Sequence, residues 1–194
     1  ERDEVPVVLI NRANNVSGVT AVVSDSEGGI GQIIDHLVSL GHRRIAHVAG
    51  PRCSTIGMAR YQAYRSTIEG VGLPINQGLV EHCEAYSRDE GKRALSFLLH
   101  STERFTAVVA ANDFLALGCY DALKVEGRGC PHDFSVTGFN DMPFVDMMDP
   151  PLTTVRIPQY DMGAAAADAV LDRMNGTASE PKTIVLPSTL IVRA

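Results

Sequence analysis

The sequence predicts an α/β fold with a doubly wound, parallel sheet. Short apolar runs of strand length recur along the chain, and helix-spaced stretches follow most of them. Such alternation builds β-α-β units. The runs are apolar at nearly every position rather than every second one, which suits strands covered by helices on both faces. The chain has 194 residues, 45% of them apolar and 21% charged, enough for one generous domain or two small lobes.

Residues 5–10 read as the first strand and run into Asn11-Arg12; residues 19–23 form a second that ends at Ser24-Asp25. Ile30, Ile33, Ile34, Leu37, Val38 and Leu40 then recur at helical spacing until Gly41 stops them. Residues 45–49 are a strand ending at Gly50-Pro51, and residues 57–69 a helix closed by Gly70 and Gly72-Leu73-Pro74. A strand over 79–85 precedes a helix over 88–100, with Ala94, Leu95, Leu98 and Leu99 on its apolar side. The pattern repeats with a strand at 107–111, a helix at 114–125 and a strand at 135–139 that ends at Asn140-Asp141. An alanine-rich helix over 160–174 ends at Gly176, and a terminal strand over 184–192 is interrupted at Pro187.

There are 17 basic and 23 acidic residues, a net charge of −6. A negative domain lacks the electrostatic footprint of a nucleic-acid binder, so any role on DNA belongs to another segment. Cys53, Cys83, Cys119 and Cys130 form no C-x-x-C pair and read as reduced thiols. Glu1-Arg2-Asp3-Glu4 does not resemble the basic start of a secretory leader. No apolar run reaches the roughly 20 residues of a membrane span. A cytoplasmic protein with no membrane association is expected.

In an open parallel sheet, ligands bind beyond the carboxyl ends of the strands. Here those ends carry Asn11-Arg12, Ser24-Asp25, the loop from Gly50 to Arg60, Tyr86-Ser87, Asn112-Asp113 and Asn140-Asp141. Amides both donate and accept, arginine presents a fixed fork of donors, and an aromatic face covers apolar ring edges. The set suits a neutral small molecule rich in hydroxyl or amide groups. Helix capping competes with ligand contact at Asp25 and Asp113, and evenly so at Asn112 and Asn140. Arg60 also fits a surface position, and Tyr86 a packing role.

Enzyme motifs fail. Gly28-Gly29-Ile30-Gly31 follows a strand and opens a helix, but Ile34 stands where a dinucleotide loop needs its third glycine. No phosphate-binding loop, nucleophile elbow or paired-histidine metal motif occurs. Binding without catalysis is expected, with no cofactor and no metal.

Val7-Val8-Leu9-Ile10-Asn11-Arg12 and residues 36–46, HLVSLGHRRIA, resemble the "VVLIDR" strand and the "HLxxLGHRRIA" segment of the LacI/GalR family of bacterial transcriptional regulators. Gly50-Pro51, Arg60 and Tyr64 follow its "GP…R..GY" pattern, although Ala63 stands where glycine is usual. Residues 111–118 resemble "xNDxxAxG", residues 133–141 "DISVVGFDD", and residues 151–155 "PxLTTV". The blocks occur in family order over nearly the whole chain.

The resemblance implies a two-lobe, periplasmic-binding-protein-like effector core. It would have an incomplete N-terminal lobe over 1–43 and 156–186, and a C-terminal lobe over 44–155 and 187–194. The effector would lie between the lobes and control DNA binding by a headpiece absent from this chain. Carried over by motif, Asn11, Arg60, Tyr86, Asn112 and Asn140 face the effector, with Gln159 a further candidate. By the same resemblance Arg60 would be the main donor fork and Tyr86 the stacking platform. Asn11 and Asn140 stand where relatives often carry Asp; an amide donates as well as accepts, so effector preference should differ. The resemblance also implies a homodimer through Leu115, Leu117, Met142, Phe144 and Met147. For residues 142–148 a loop folded over the core competes with that reading. A periplasmic-type sugar-binding protein of a transporter is the alternative.

Overall fold

The computed structural model describes residues 5–12, 18–177 and 180–193. The charged Glu1–Glu4 segment lies outside them. In chain order the elements are β1 (Val8–Ile10), β2 (Thr20–Ser24), α1 (Ser26–Ser39), β3 (Ile45–Ala49), α2 (Thr55–Gly70), β4 (Val80–His82), α3 (Arg88–Leu99) and β5 (Ala107–Ala110). Then follow α4 (Asp113–Val125), β6 (Ser135–Asn140), β7 (Thr153–Arg156), α5 (Gln159–Met174), β8 (Thr183–Leu186) and β9 (Thr189–Ile191).

The chain divides into two compact units. The smaller comprises Glu1–Asp25 and Ile157–Ser188. Its parallel sheet has the order β1-β2-β8, and α5 packs on it. β2 is buried throughout, whereas Val185 of β8 is 57% exposed, so the expectation of two covered faces does not extend to this sheet.

The larger unit comprises Ser26–Arg156 and Thr189–Ala194. Its sheet has the order β4-β3-β5-β6-β7-β9, parallel except for the β7–β9 pair. Helices α1 and α2 pack together, as do α3 and α4. Strand alternation sends Ala46, Val48, Val108 and Ala110 into the core under α3 and α4. The alternate residues, among them Ile45, His47, Val109 and Phe139, are buried as well. That double burial explains the unbroken apolar runs. At the amino ends of three strands, the His42 ring shares hydrogen bonds with Thr106 Oγ1 at 2.8 Å and Ser135 Oγ at 3.0 Å.

The compact units divide after Asp25, whereas a lobe boundary was expected after residue 43. The reason is α1, which buries Ile30, Ile33, Ile34 and Leu37 and packs with α2, β5, β6, β7 and β9. The later boundaries shift to 156/157 and 188/189. The strand over 79–85 shortens to β4, because a 3-10 turn over Gln77–Leu79, capped by the Asn76 side chain, occupies the approach. Strand β7 was not anticipated. Its Thr153 and Thr154 look polar in sequence, but it lies between β6 and β9 and is buried up to Val155.

Candidate functional site

The parallel order places the carboxyl ends of β4, β3, β5 and β6 side by side. Arg60, on α2, reaches this edge. It is only 1% exposed, which corrects the expectation of a surface-type side chain. Its NH1 donates to the Ala111 carbonyl at 2.6 Å and its NH2 to Asn140 Oδ1 at 3.1 Å. Its guanidinium carbon lies 3.8 Å from the Phe139 ring centre. Burial lowers its pKa to about 10, against the raising influence of Tyr86 and Asp113, so it stays charged at neutral pH. The buried Nε has no partner among the described residues.

Asn140 ends β6 with φ 115°, and Asp141 follows with φ 57°; both lie in the left-handed region that favours glycine. Asn112 is itself the α4 cap, rather than the residue before it: its Oδ1 accepts from Leu115 N at 2.9 Å. Asp113 does not cap. Its fully buried carboxylate accepts from Thr154 Oγ1 at 2.6 Å and Met142 N at 2.8 Å. Burial raises its pKa to about 6, although both hydrogen bonds and Arg60 oppose the rise.

Tyr86 is half-buried. A side chain at Gly50 would collide with its hydroxyl and come within 2.7 Å of its ring carbons; one at Gly57 would meet Pro51 O at 2.7 Å and the hydroxyl at 3.0 Å. Two glycines thus make the notch that seats the ring, and this accounts for Gly50 in the Gly50-Pro51 loop. Next to this edge, the buried His47 donates from Nδ1 to Val109 O at 2.8 Å and stacks on Tyr64 at 4.7 Å. Burial chiefly holds its pKa at about 4.

The structure therefore brings Arg60, Asn112 and Asn140 together at one sheet edge, with Tyr86 beyond the end of β4. Asn11 (φ 52°) and Gln159, the first residue of α5, lie on the smaller unit. Sequence reasoning missed Phe139 and the anchoring role of Asp113. The signal was adjacency: each neighbours a named asparagine but points elsewhere.

Of the interface candidates, Leu115 is corrected: it is 0% exposed and belongs to the core. Met142 and Phe144 are partly buried against that core, and Val145 is buried within it. Met147 is 77% exposed. Leu117 lines a groove of about 570 Å³ with Tyr120, Met148 and Pro150. Among the described residues no three His, Cys, Asp or Glu side chains gather as a metal site, and no helix is long and apolar enough to cross a membrane.

A doubly wound sheet with a buried guanidinium, amides and a seated aromatic ring at its strand ends has the makings of a ligand-binding fold. The family described as "Periplasmic binding protein-like domain" matches residues 34–194. The chain is 35% identical over 175 residues to the HTH-type transcriptional regulator CelR of Thermobifida fusca, covering 90% of this chain and 51% of CelR. It is 34% identical over 193 residues to the regulator MalR of Streptomyces coelicolor, covering 97% of this chain and 55% of MalR. A CelR–cellobiose complex superposes with a TM-score of 0.90 at 34% identity, over 96% of this chain and 57% of that one. A LacI-family regulator from Enterococcus faecium with bound ribose superposes with a TM-score of 0.85 at 28% identity, over 97% and 69%. The chain belongs to the LacI family of transcriptional regulators and has the fold of its effector-binding core. It spans about half the length of the curated relatives it matches.

Proposed function

We propose that this chain senses a polar small molecule of the sugar class and thereby controls a transcriptional regulator. The carrying observation is the buried Arg60, whose fork is set by Ala111 and Asn140 and whose face is set by Phe139. A buried cation already oriented by fixed partners loses little entropy when it meets a ligand hydroxyl. Asn112 and Asn140 supply further amides, and Tyr86 an aromatic face. Asn11 and Gln159 stay in the proposal as positions carried over from the family resemblance.

Effector binding would shift DNA binding by a segment outside these 194 residues, and DNA would shift effector affinity by the same factor. The parent protein would act in the cytoplasm as a homodimer, using Leu117, Met147 and the partly buried Met142 and Phe144.

A thermal-unfolding screen with cellobiose, ribose, other sugars, nucleosides and sugar phosphates tests the reading. At least one sugar should raise the midpoint of the wild-type chain and leave Asn140→Ala unmoved. If no compound shifts the wild type, or Asn140→Ala responds equally, the proposed site fails.

A further inference from the structure

Two consecutive non-glycine residues, Asn140 and Asp141, hold positive φ values of 115° and 57° at the end of β6. Such a turn persists only where its surroundings over-determine it. The Asp141 side chain is 7% exposed and takes Arg156 Nε on Oδ2 at 2.6 Å and Arg193 NH2 on Oδ1 at 2.7 Å. Both guanidinium groups are themselves placed by strands. Arg156 is the last residue of β7 and pairs in register with Asn140 and Thr189. Arg193, two residues beyond β9, donates from NH1 to Leu152 O at 2.9 Å and from its backbone N to Thr153 Oγ1 at 3.0 Å. The next residue, Met142, gives its N–H to Asp113.

We propose that Asp141 is the positioning residue for Asn140. Gripped by Arg156 and Arg193, its carboxylate keeps the left-handed turn that delivers the Asn140 side-chain oxygen, Oδ1, to Arg60. The relevance to sensing rests on the effector reading above; the positioning does not. A carboxylate with one oxygen for each guanidinium fixes the turn more firmly than a neutral acceptor, because both hydrogen bonds are charge-assisted. The grip also touches the chain where it changes units. Arg156 is the last residue of the larger unit before the chain passes to the smaller, and Thr189, opposite it on β9, is the first after its return.

Asp141→Asn is the sharpest probe, since asparagine tolerates the left-handed region and differs only in charge and donor pattern. The paired variant Arg156→Gln/Arg193→Gln removes the grip from the other side and serves if Asp141→Asn does not fold. Multidimensional NMR on the ligand-free 194-residue chain reads the outcome. The wild type should show the small amide–Hα coupling of positive φ at Asn140 and through-space contacts between Asn140 and the Arg60 side chain. The variants should show a larger, extended-type coupling and lose those contacts. If both variants fold and keep the wild-type coupling and contacts, Asp141 does not position Asn140 and the proposal falls. Calorimetry with cellobiose and ribose separates the two ideas. Where either sugar binds the wild type, the variants should bind it roughly tenfold more weakly, the cost of one misplaced charge-assisted contact. A displaced Asn140 with unchanged sugar affinity would retain the positioning role and reject Asn140 as an effector contact.

Discussion

The guanidinium carbon of Arg60 lies 3.8 Å from the centre of the Phe139 ring, and both residues are buried. The next residue after Phe139 receives the Arg60 NH2 hydrogen bond. One side chain thus rests on two successive residues of β6. The stack continues below: a side chain at Gly29 would come within 2.7 Å of the Phe139 ring.

Arg60→Ala should therefore cost stability as well as ligand binding. It leaves a cavity and an unpaired Ala111 carbonyl, together worth about 2–4 kcal/mol. Arg60→Lys should recover part of the stability but not the binding, because an ammonium cannot reproduce the fork. Urea unfolding and calorimetry on the two variants check this. Unchanged stability in Arg60→Ala would contradict the buried anchoring described above.

Gly50→Ala should displace Tyr86, whose hydroxyl and ring fill the space a methyl group would take. The two positions should be coupled. Gly50→Ala should be harmful in the wild type and much milder once Tyr86→Ala has removed the ring, giving an interaction energy of about 1–2 kcal/mol. A double-mutant cycle by chemical unfolding measures it, and simple additivity would show that the ring is not seated in this notch.

Helices α3 and α4 meet backbone to backbone. A side chain at Gly91 would collide with the Leu115 carbonyl, and one at Gly118 with the Arg88 carbonyl. Gly91→Ala and Gly118→Ala should each cost at least about 2 kcal/mol through overpacking. The loss should appear as a lowered thermal midpoint; substitutions tolerated at both sites would mean that the helices can part cheaply.

The acid response should contain two opposing parts. Burial holds His47 at about 4 instead of 6.5. Between those values the unfolded chain binds a proton that the folded chain refuses, so this contribution falls as pH drops from 6.5 to about 4. Asp113 is raised from 3.8 to about 6, chiefly by burial. In that window the folded chain binds the extra proton, so its contribution rises as pH drops. Each could amount to about 3 kcal/mol over its full range. His47→Gln should flatten the loss of stability on acidification, and Asp113→Asn should steepen it. Urea midpoints between pH 7 and pH 4 measure both slopes, and parallel curves for all three proteins would rule the assignment out.

Met147 is 77% exposed beside a segment otherwise packed on the core. Met147→Glu should weaken self-association without lowering the unfolding midpoint. Sedimentation equilibrium of the wild type and the variant decides it, and identical masses would exclude Met147 from any interface between copies.

Much of the architecture could be read from strand-length apolar runs, because β3 and β5 are buried on both sides and carry a single polar residue, His47, between them. β7 escaped because its threonines meet partners distant in sequence, such as Asp113 for Thr154 and the Arg193 backbone for Thr153. Leu115 was misplaced for a related reason. Helix α4 is apolar on more than one side, so spacing alone cannot separate the buried Leu115 from its neighbour Phe114, 40% exposed. The strand-end positions of Asn112 and Asn140 were legible, because each follows or closes an apolar run. The burial of Arg60 was not, since a lone arginine reads as surface until Ala111 and Phe139 are seen to enclose it.

The His42 ring, held between Thr106 and Ser135, has a property that the His47 ring lacks. A hydroxyl rotates, and it can give or take a proton in a hydrogen bond. Either neutral tautomer of His42, and equally its doubly protonated form, can keep both bonds after the two hydroxyls turn. His47 faces a carbonyl, which can only accept. The sheet is thus fastened at one end by a joint whose two bonds outlast any change of protonation, while the imidazole buried deeper in it must keep its proton on Nδ1 to hold its bond.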